Sequence, residues 1–340
     1  MVNGRLRIGG TMIREIKQLY VSFTNWLMNF VVPTDLDDVL IVRLDQLGDF
    51  VLWLDSAKEY RKLYHGKRLT LLVNANWYDF AKSLPYWDDV ITLDTMKFRL
   101  NIFYRIQMMV YIRKKGFEIA ISPRHSVKLT LEPPIIATCG ATQKIICEGS
   151  FPIEHRNYFT RSIPMRPNIH ELSRNADFLR GLGRKDFKST APKLQMRSLG
   201  KPHIIICPGS FRKRKEWPLS RFITLMHRLY NHNIIVCNDT YIENLPSHVA
   251  NLTGQTSLMR FLNIISNSYL VIANDSAPIH LAVAYDVRSV CIGAERIGRF
   301  VPYTVEKERE GMVLPKLVYK PNINDITVNE VFDVVKEMLK

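Results

Sequence analysis

The fold is decided by the stretch VLIVRLDQLGDF, residues 39–50. The nearly continuous apolar run Val39–Leu44 is typical of a strand buried in a parallel sheet. A turn that contains Gly48 then leads into an apolar-periodic segment, which predicts a helix from Phe50 to Tyr64. The same order of strand and helix recurs along the chain, so the sequence predicts an α/β protein.

The alternation of strands and helices occurs in two successive series. The predicted strands of the first series are Val39–Leu44, Leu69–Val73, Val90–Leu93 and Ile119–Ser122, with a strand-like Lys144–Cys147. Those of the second are Ile204–Cys207, Ile234–Cys237, Tyr269–Ala273 and Ser289–Ile292. Two such series predict two doubly wound sheets in two domains that face a central cleft.

Four segments are predicted from this pattern. They are an N-terminal helical extension at 1–34, a first Rossmann-like domain at 35–190, a second at 200–322 and a closing helix within 323–340. The basic stretch 184–201, which is followed by Pro202, is predicted to link the two domains. Ligands of such sheets bind beyond the carboxyl ends of the strands, so the loops that follow the strands are the candidates for a site.

The composition favours an anionic partner. Among 340 residues the hydrophobic fraction is 46%, as in a globular protein, and the formal net charge is +15. This charge favours nucleic acid, a membrane surface or a phosphorylated substrate without choosing among them. The five cysteines are widely spaced and form no C-x-x-C pair, so we expect free thiols in a reducing cytosol and no metal site.

The first segment is predicted to be an amphipathic helix that does not cross a membrane. Apolar residues recur at steps of three and four from Met12 to Val31, and Pro33 ends the pattern. The best apolar stretch, Leu19–Val32, is shorter than the roughly 20 residues that a span needs. The helix therefore either packs on the protein's own body or lies on a membrane surface through its basic residues. Those residues are Arg5, Arg7, Arg14 and Lys17.

The loop after the first strand offers one candidate acid. Asp49 follows Gly48 at the predicted start of a helix. An aspartate at this place is either an ordinary helix cap or a catalytic base that faces the cleft. The sequence alone leaves both interpretations open.

Two loops in the second series could bind a diphosphate. The loop PGSFRKRKEWP, residues 208–218, combines a Gly-Ser corner with basic residues that suit a phosphate, although a solvated basic loop or a nucleic-acid patch fits equally. The stretch NDSAPIH, residues 274–280, ends a strand and begins a helix, whose free N–H groups and positive dipole end suit the same ligand.

Taken together, these features resemble glycosyltransferase family 9, the lipopolysaccharide heptosyltransferase family, over roughly residues 39–305. Five motifs occur in the family's order: LGD at 47–49, a helix that ends in LG at 182–183, PGSFRKRKEWP at 208–218, GQTSL at 254–258 and NDSAPIHLA at 274–282. The resemblance implies the GT-B architecture, with an acceptor domain at 35–190 and a donor domain at 200–322.

The resemblance also implies a role for each matching residue. Asp49 matches the general base. The residues that match the donor site are Ser210, Lys215, Asp275, Ser276, Ala277 and His280. The implied reaction is the inverting, metal-independent transfer of heptose from ADP-heptose to a lipid-linked, phosphorylated lipopolysaccharide-core glycan, without a cofactor. The implied location is the cytoplasmic face of a bacterial inner membrane, and domain closure is expected to bring Asp49 to the donor.

Two departures keep the donor open. The turn Asn238-Asp239-Thr240 replaces a glycine-rich turn, and Gly293-Ala294-Glu295 replaces a Gly-Pro. The alternatives are a GT-B enzyme with another donor, such as a UDP- or GDP-sugar, and a basic nucleic-acid-binding protein. No fold motif supports the latter, so we expect no nucleic-acid partner. Arg124, after the fourth strand, is predicted to contact an acceptor anion.

Overall fold

A computed structural model describes residues 15–16, 18–34, 37–124, 131–148, 158–166, 169–195, 203–294 and 312–340. Their contacts divide the chain into two units. The first unit comprises Met1–Asp45, Lys58–Arg166 and Asp177–Asp186, and the second comprises Gln46–Ala57, Pro167–Ala176 and Phe187–Lys340. Two stretches from the predicted N-terminal domain, 46–57 and 167–176, thus pack with the second unit.

The first unit contains a parallel sheet of six strands in the order β3-β2-β1-β4-β5-β6. The strands are β1 Val39–Arg43, β2 Leu69–Asn74, β3 Asp89–Leu93, β4 Ile119–Ser122, β5 Gln143–Cys147 and β6 Arg161–Ile163. Every residue of β1 and β2 is buried, as expected for strands that are covered on both faces.

The second unit repeats this order with β12-β11-β10-β7-β8-β9, again all parallel. The strands are β7 Ile204–Cys207, β8 Ile234–Val236, β9 Val249–Asn251, β10 Leu270–Asn274, β11 Arg288–Ala294 and β12 Lys316–Lys320. In each sheet the first and fourth strands lie side by side, which is the strand order of a Rossmann fold. The predicted α/β class with two Rossmann-like units is therefore confirmed.

Helices connect the strands. The first, α1, covers residues 18–27. The others are α2 Leu47–Ala57, α3 Tyr60–Leu63, α4 Tyr78–Lys82, α5 Thr95–Leu100, α6 Ile102–Lys115, α7 Glu132–Thr138, α8 Glu171–Leu182, α9 Leu219–Arg228, α10 Leu258–Ser266, α11 Ala277–Ala284 and α12 Val328–Leu339. Among the described residues, no helix is both long enough and apolar enough to cross a bilayer. All five cysteines are buried free thiols.

The basic, apolar-periodic stretch from Phe98 to Lys115 predicts one continuous helix, and this prediction is wrong. The stretch is divided into α5 and α6 at Asn101, whose backbone is extended and whose side-chain oxygen accepts a hydrogen bond from the N–H of Tyr104. An asparagine that caps the second helix in this way competes with continuation of the first. The short strands β6 and β9, the strand β12 and the helix α7 were not predicted.

The N-terminal helix packs on the first unit with one face and exposes the other. Thr24 and Met28 are buried, and the hydroxyl of Thr24 accepts a hydrogen bond from Arg105 Nε at 2.9 Å. The guanidinium of Arg105 lies between the rings of Tyr20 and Phe98, at 5.1 and 4.6 Å from their centroids. The predicted basic residues Arg5, Arg7, Arg14 and Lys17 lie outside the described residues.

Candidate active site

The central strands of the second sheet, β7 and β10, end in the two loops that the sequence analysis proposed for a diphosphate. These strands are direct neighbours, and Cys207 of β7 pairs in register with Ala273 of β10. In a doubly wound sheet the strand order reverses at this point, and the loops diverge to leave a binding crevice. Residues 208–218 and 274–280 therefore meet at the expected place within one unit.

Asn274 joins the two loops. Its side chain is fully buried, its Oδ1 accepts the backbone N–H of Trp217 at 3.0 Å, and its Nδ2 donates to the carbonyl of Pro208 at 2.5 Å. Trp217 is itself buried and donates from Nε1 to the carbonyl of Ile326 at 2.8 Å. Because buried amides bonded on both sides are strongly oriented, Asn274 fixes the basic loop relative to β10. The sequence analysis treated Asn274 only as a polar residue at a helix start.

Lys215 reaches the second loop directly. Its Nζ lies 2.5 Å from Asp275 Oδ2, and neither side chain is more than about a third exposed, at 30% for Lys215 and 15% for Asp275. Lys215 ends a 3₁₀ turn, Lys213–Lys215, which begins after the exposed Arg212. Of the basic residues 212–215, Lys215 is thus the one that the structure places beside the helix start.

Ser210 lies on the same loop. Its backbone N–H donates to Glu216 Oε1 at 3.2 Å, and its hydroxyl accepts a weak bond from the N–H of Arg212 at 3.4 Å. The turn Asn238-Asp239-Thr240, which replaces the family's glycine-rich turn, packs against this loop. A Cβ added to Gly209 would lie 2.0 Å from Asn238 Oδ1. Only glycine leaves room for the Asn238 side chain at that position.

The start of α11 is not capped by its own side chain. Ser276 occupies the N-cap position, but its hydroxyl donates to the carbonyl of Asn274 at 3.1 Å instead of accepting a bond from the helix. Ala277 and Pro278 follow as the first helical residues. The N–H groups of the first turn carry the positive end of the helix dipole, so this terminus suits an anionic ligand beside Lys215.

His280 is a neutral group in the first turn of α11. It is almost fully buried, and this burial lowers its pKa to about 4; Lys215 and His170 act in the same direction, whereas Asp275 opposes them. His280 would therefore contact a donor as a neutral imidazole near pH 7, not as a cation. His170, just before α8, was not singled out by the sequence analysis, because a lone histidine far away in sequence gives no signal.

We expect the low pKa of His280 to make stability fall as the pH is lowered from 6.5 towards 4. The unfolded chain binds a proton at His280 in this window and the folded chain does not, so protonation favours unfolding. The loss between pH 7 and pH 5 should be about 2 kcal/mol in the wild type and absent in His280→Gln. Urea unfolding of both proteins at the two pH values measures it, and equal losses would contradict the assignment.

Asp49 lies in the second unit, together with the donor loops. It is half-buried and is the third residue of α2, since the carbonyl of Gln46 accepts the first helical bond from the N–H of Phe50 at 2.9 Å. Gln46 thus occupies the cap position, and the interpretation of Asp49 as the N-cap is wrong. By its contacts α2 belongs to the unit that holds the donor loops. That domain closure brings Asp49 to the donor stays a prediction.

Gly48 sets the distance between α2 and α11. A Cβ on Gly48 would lie 3.1 Å from His280 Cδ2 and 3.6 Å from the Cα of Ala277. The glycine therefore allows the start of α2, with Asp49, to approach the start of α11 closely. The LGD motif and the NDSAPIH loop, which are about 230 residues apart in sequence, come together in this contact.

Arg124 lies in the first unit, just after β4. Its Nη1 is 2.5 Å from Glu132 Oε1, and the Glu132 side chain is fully buried, which raises its pKa. The same sheet edge holds a second buried pair, Arg43 Nε and Asp45 Oδ2, at 2.8 Å. Replacing Arg124 by alanine would leave the Glu132 carboxyl buried without its cation, which is destabilising. Arg124 as an acceptor contact stays a prediction, and Arg124→Ala is an ambiguous test of it.

Gly293, the glycine that precedes the departure at Ala294, packs against Tyr319 of β12. The Tyr319 ring covers Gly293, where a Cβ would lie 2.2 Å from Cε1, and the Tyr319 hydroxyl lies 3.6 Å from Cys291 Sγ. Burial raises the pKa of Tyr319 well above its ordinary value, so the phenol stays protonated. Tyr319 was missed because β12 was missed.

The second half of the chain matches a known family. Residues 181–315 match the model of glycosyltransferase family 9 (heptosyltransferase). No curated protein matches the chain. Among the described residues, no group of histidine, cysteine and acidic side chains is placed to hold a metal ion.

Three solved structures share the fold. A glycosyltransferase family 9 protein from Veillonella parvula matches with a TM-score of 0.73 at 16% identity, covering 91% of this chain and 99% of its own. The E. coli ADP-heptose lipopolysaccharide heptosyltransferase II matches with 0.66 at 16% identity, covering 89% and 98%. The iron-containing dodecameric E. coli heptosyltransferase TibC, solved with ADP-D-β-D-heptose, matches with 0.52 at 14% identity, covering 91% and 77%.

At these identities the structural likeness establishes the fold, and the family model matches the segment that carries the donor loops. The segment 181–315 contains the basic loop, the start of α11 and the strands that hold them. The chain therefore has the GT-B fold of glycosyltransferases, and its segment 181–315 matches the model of glycosyltransferase family 9.

Proposed function

We propose that the protein moves heptose from ADP-heptose onto a lipopolysaccharide-core or related glycan, with inversion and without a metal ion. The observation that carries the proposal is the meeting of Lys215, the Ser210 loop and the uncapped start of α11 at the carboxyl ends of β7 and β10. This arrangement offers a compact cation and main-chain N–H groups to a diphosphate, which is the charged part of ADP-heptose and of UDP- and GDP-sugars alike.

In the proposed mechanism, ionised Asp49 removes the proton of an acceptor hydroxyl while that oxygen attacks the anomeric carbon. The bond from the sugar to the diphosphate breaks, and the leaving diphosphate gains negative charge. Lys215, the Ser210 hydroxyl and the N–H groups of Ser276 and Ala277 stabilise that charge, while neutral His280 contributes a hydrogen bond. The close approach of α2 to α11 at Gly48 supports the proposal that base and donor act within one unit.

The donor is tested by thermal shift with ADP, UDP and GDP. We expect ADP to raise the melting temperature most, because a ligand that binds only the folded state stabilises it in proportion to its affinity. A larger shift with UDP or GDP would replace ADP-heptose by another nucleotide sugar, a candidate that the Asn238-Asp239-Thr240 turn beside Gly209 supports. Transfer in the presence of a chelator tests the absence of a metal, and the iron in TibC makes this control necessary.

We propose that the acceptor is lipid-linked and that the protein meets it as a peripheral protein at the cytoplasmic face of the inner membrane. Three aromatic side chains lie in a row on the outer face of the N-terminal segment: Phe23, Trp26 and Phe30, which are 49%, 53% and 70% exposed. Their rings contact each other, with centroids 6.2 and 5.0 Å apart along the row. Such a row on a basic protein suits the interface of an anionic bilayer.

Replacing this row should weaken membrane binding without unfolding the protein. Deletion of the helix would remove Thr24, the hydrogen-bond partner of the buried Arg105, and so would disturb the fold. The triple variant Phe23→Ser, Trp26→Ser, Phe30→Ser is therefore the better change. We expect it to lose at least about tenfold in affinity for vesicles that contain phosphatidylglycerol, because less apolar surface enters the bilayer. Tyr230→Ser, which removes an aromatic ring that is 65% exposed in the second unit, is the control. Vesicle sedimentation that finds equal binding for wild type and triple variant would contradict the membrane contact.

A further inference from the structure

Acidic side chains contact two groups of the basic loop that we propose for the donor's diphosphate, the Lys215 ammonium and the Ser210 main chain. Asp275 pairs with Lys215, and Glu216 accepts the N–H of Ser210 at 3.2 Å. Asp275 belongs to a motif that the sequence analysis identified, whereas nothing in that analysis distinguished Glu216. The loop therefore contains an anion of its own at the Ser210 N–H, a main-chain donor at the Gly-Ser corner that suits a phosphate.

The position of Glu216 in the chain holds it there. The next residue, Trp217, is fixed by its two hydrogen bonds, from the backbone N–H to Asn274 and from Nε1 to Ile326. The backbone of Glu216 is extended, and its side chain reaches back across the loop to Ser210. The anchored neighbour thus keeps the Glu216 carboxylate within reach of the Ser210 N–H.

The contacts of this carboxylate are weak enough to be exchanged. Its second oxygen, Oε2, lies 3.0 Å from Lys213 Nζ, and the Lys213 side chain is 93% exposed. A pair with so exposed a lysine contributes little stability, since water replaces either partner readily. The Glu216 side chain is itself 22% exposed, so it has a path to solvent.

We propose that Glu216 is an internal competitor of the donor's diphosphate. Its carboxylate accepts the Ser210 N–H, and it turns towards solvent when a phosphate oxygen takes over that bond. A carboxylate and a phosphate are both anionic acceptors, cannot share one N–H, and repel each other at close range. The exchange weakens binding of the nucleotide and speeds release of the nucleoside diphosphate product. This inference rests on the proposed function, in which a nucleoside diphosphate binds at this loop.

Glu216→Gln tests the competition, because it keeps the length of the side chain and an acceptor oxygen but removes the charge. Titration calorimetry with ADP should find binding about threefold to tenfold tighter in the variant. The KM for the donor should fall by a similar factor, while kcat for the chemical step stays unchanged. A residue that only supported the loop would show the opposite, with weaker binding of ADP.

The charge-matched control is Glu337→Gln, which removes an exposed carboxylate from α12. Equal tightening in this control would assign the effect to net charge and overturn the inference, as would unchanged or weaker binding in Glu216→Gln. If the wild type binds ADP and Glu216→Gln does not differ from it, only this inference fails. If the wild type binds no nucleoside diphosphate, the proposed function fails with it.

Discussion

Asp49→Asn should lower kcat by about 10²- to 10⁴-fold while the protein keeps its fold and its affinity for the donor. The amide has nearly the same shape as the carboxylate, but it cannot accept the proton of the acceptor hydroxyl. Since Gln46 occupies the cap position of α2, the change does not remove a helix cap. The measurement is kcat with saturating donor and acceptor, together with the melting temperature.

The control for Asp49→Asn needs an acid at the same place in another helix. Glu330 is the third residue of α12 and closes its capping box with Thr327, so Glu330→Gln removes a first-turn carboxylate far from the donor loops in sequence. It should lower the melting temperature and leave kcat unchanged. Asp45, in contrast, is unsuitable because it is buried beside Arg43 and its neutralisation would disturb the first sheet. Full turnover by Asp49→Asn would contradict the proposed mechanism.

Lys215→Ala should lower kcat/KM by about 30- to 1000-fold, which corresponds to a loss of about 2–4 kcal/mol of transition-state stabilisation. The lysine lies beside the start of α11, where charge develops on the departing diphosphate. In the variant Asp275 also loses its cation, so the site becomes more negative just where the donor is anionic. The initial rate at low donor concentration gives the ratio directly.

Arg212→Ala is the matched control for Lys215→Ala. Arg212 lies on the same loop and carries the same charge, but it is exposed and precedes the 3₁₀ turn. Its loss should change kcat/KM by less than about threefold, as for an ordinary solvated charge. If Arg212→Ala were the more damaging of the two, the assignment of Lys215 to the diphosphate would be wrong.

The fold was largely predictable because its signals are local. Apolar runs such as Ile204–Cys207 form strands buried on both faces, and the closing helix predicted within 323–340 is observed as α12, Val328–Leu339. The missed β6 and β9 have only three residues each, and β12 begins and ends with a lysine, so none of them shows a long apolar run. The helix boundary at Asn101 was missed because the apolar periodicity continues on both sides of it.

The candidate site was predictable where function requires particular residue types in one loop, as for Lys215, Asp275 and His280. The contacts that assemble the site were not. Asn274 forms hydrogen bonds with residues that lie about 60 positions away in sequence. In the sequence, nothing distinguishes the carboxylate of Glu216 from the other charged groups of the basic loop. The assignment of α2 to the second unit follows from packing at Gly48 and has no local signal at all.

The central claim is tested most directly by mass spectrometry of lipid-linked glycans incubated with the protein and ADP-heptose in the presence of a chelator. The account predicts a gain of one heptosyl residue with the wild type, and none with Asp49→Asn at equal protein concentration and time. No gain with any lipopolysaccharide-core acceptor, or a gain of a different sugar supplied from another nucleotide donor, would contradict it.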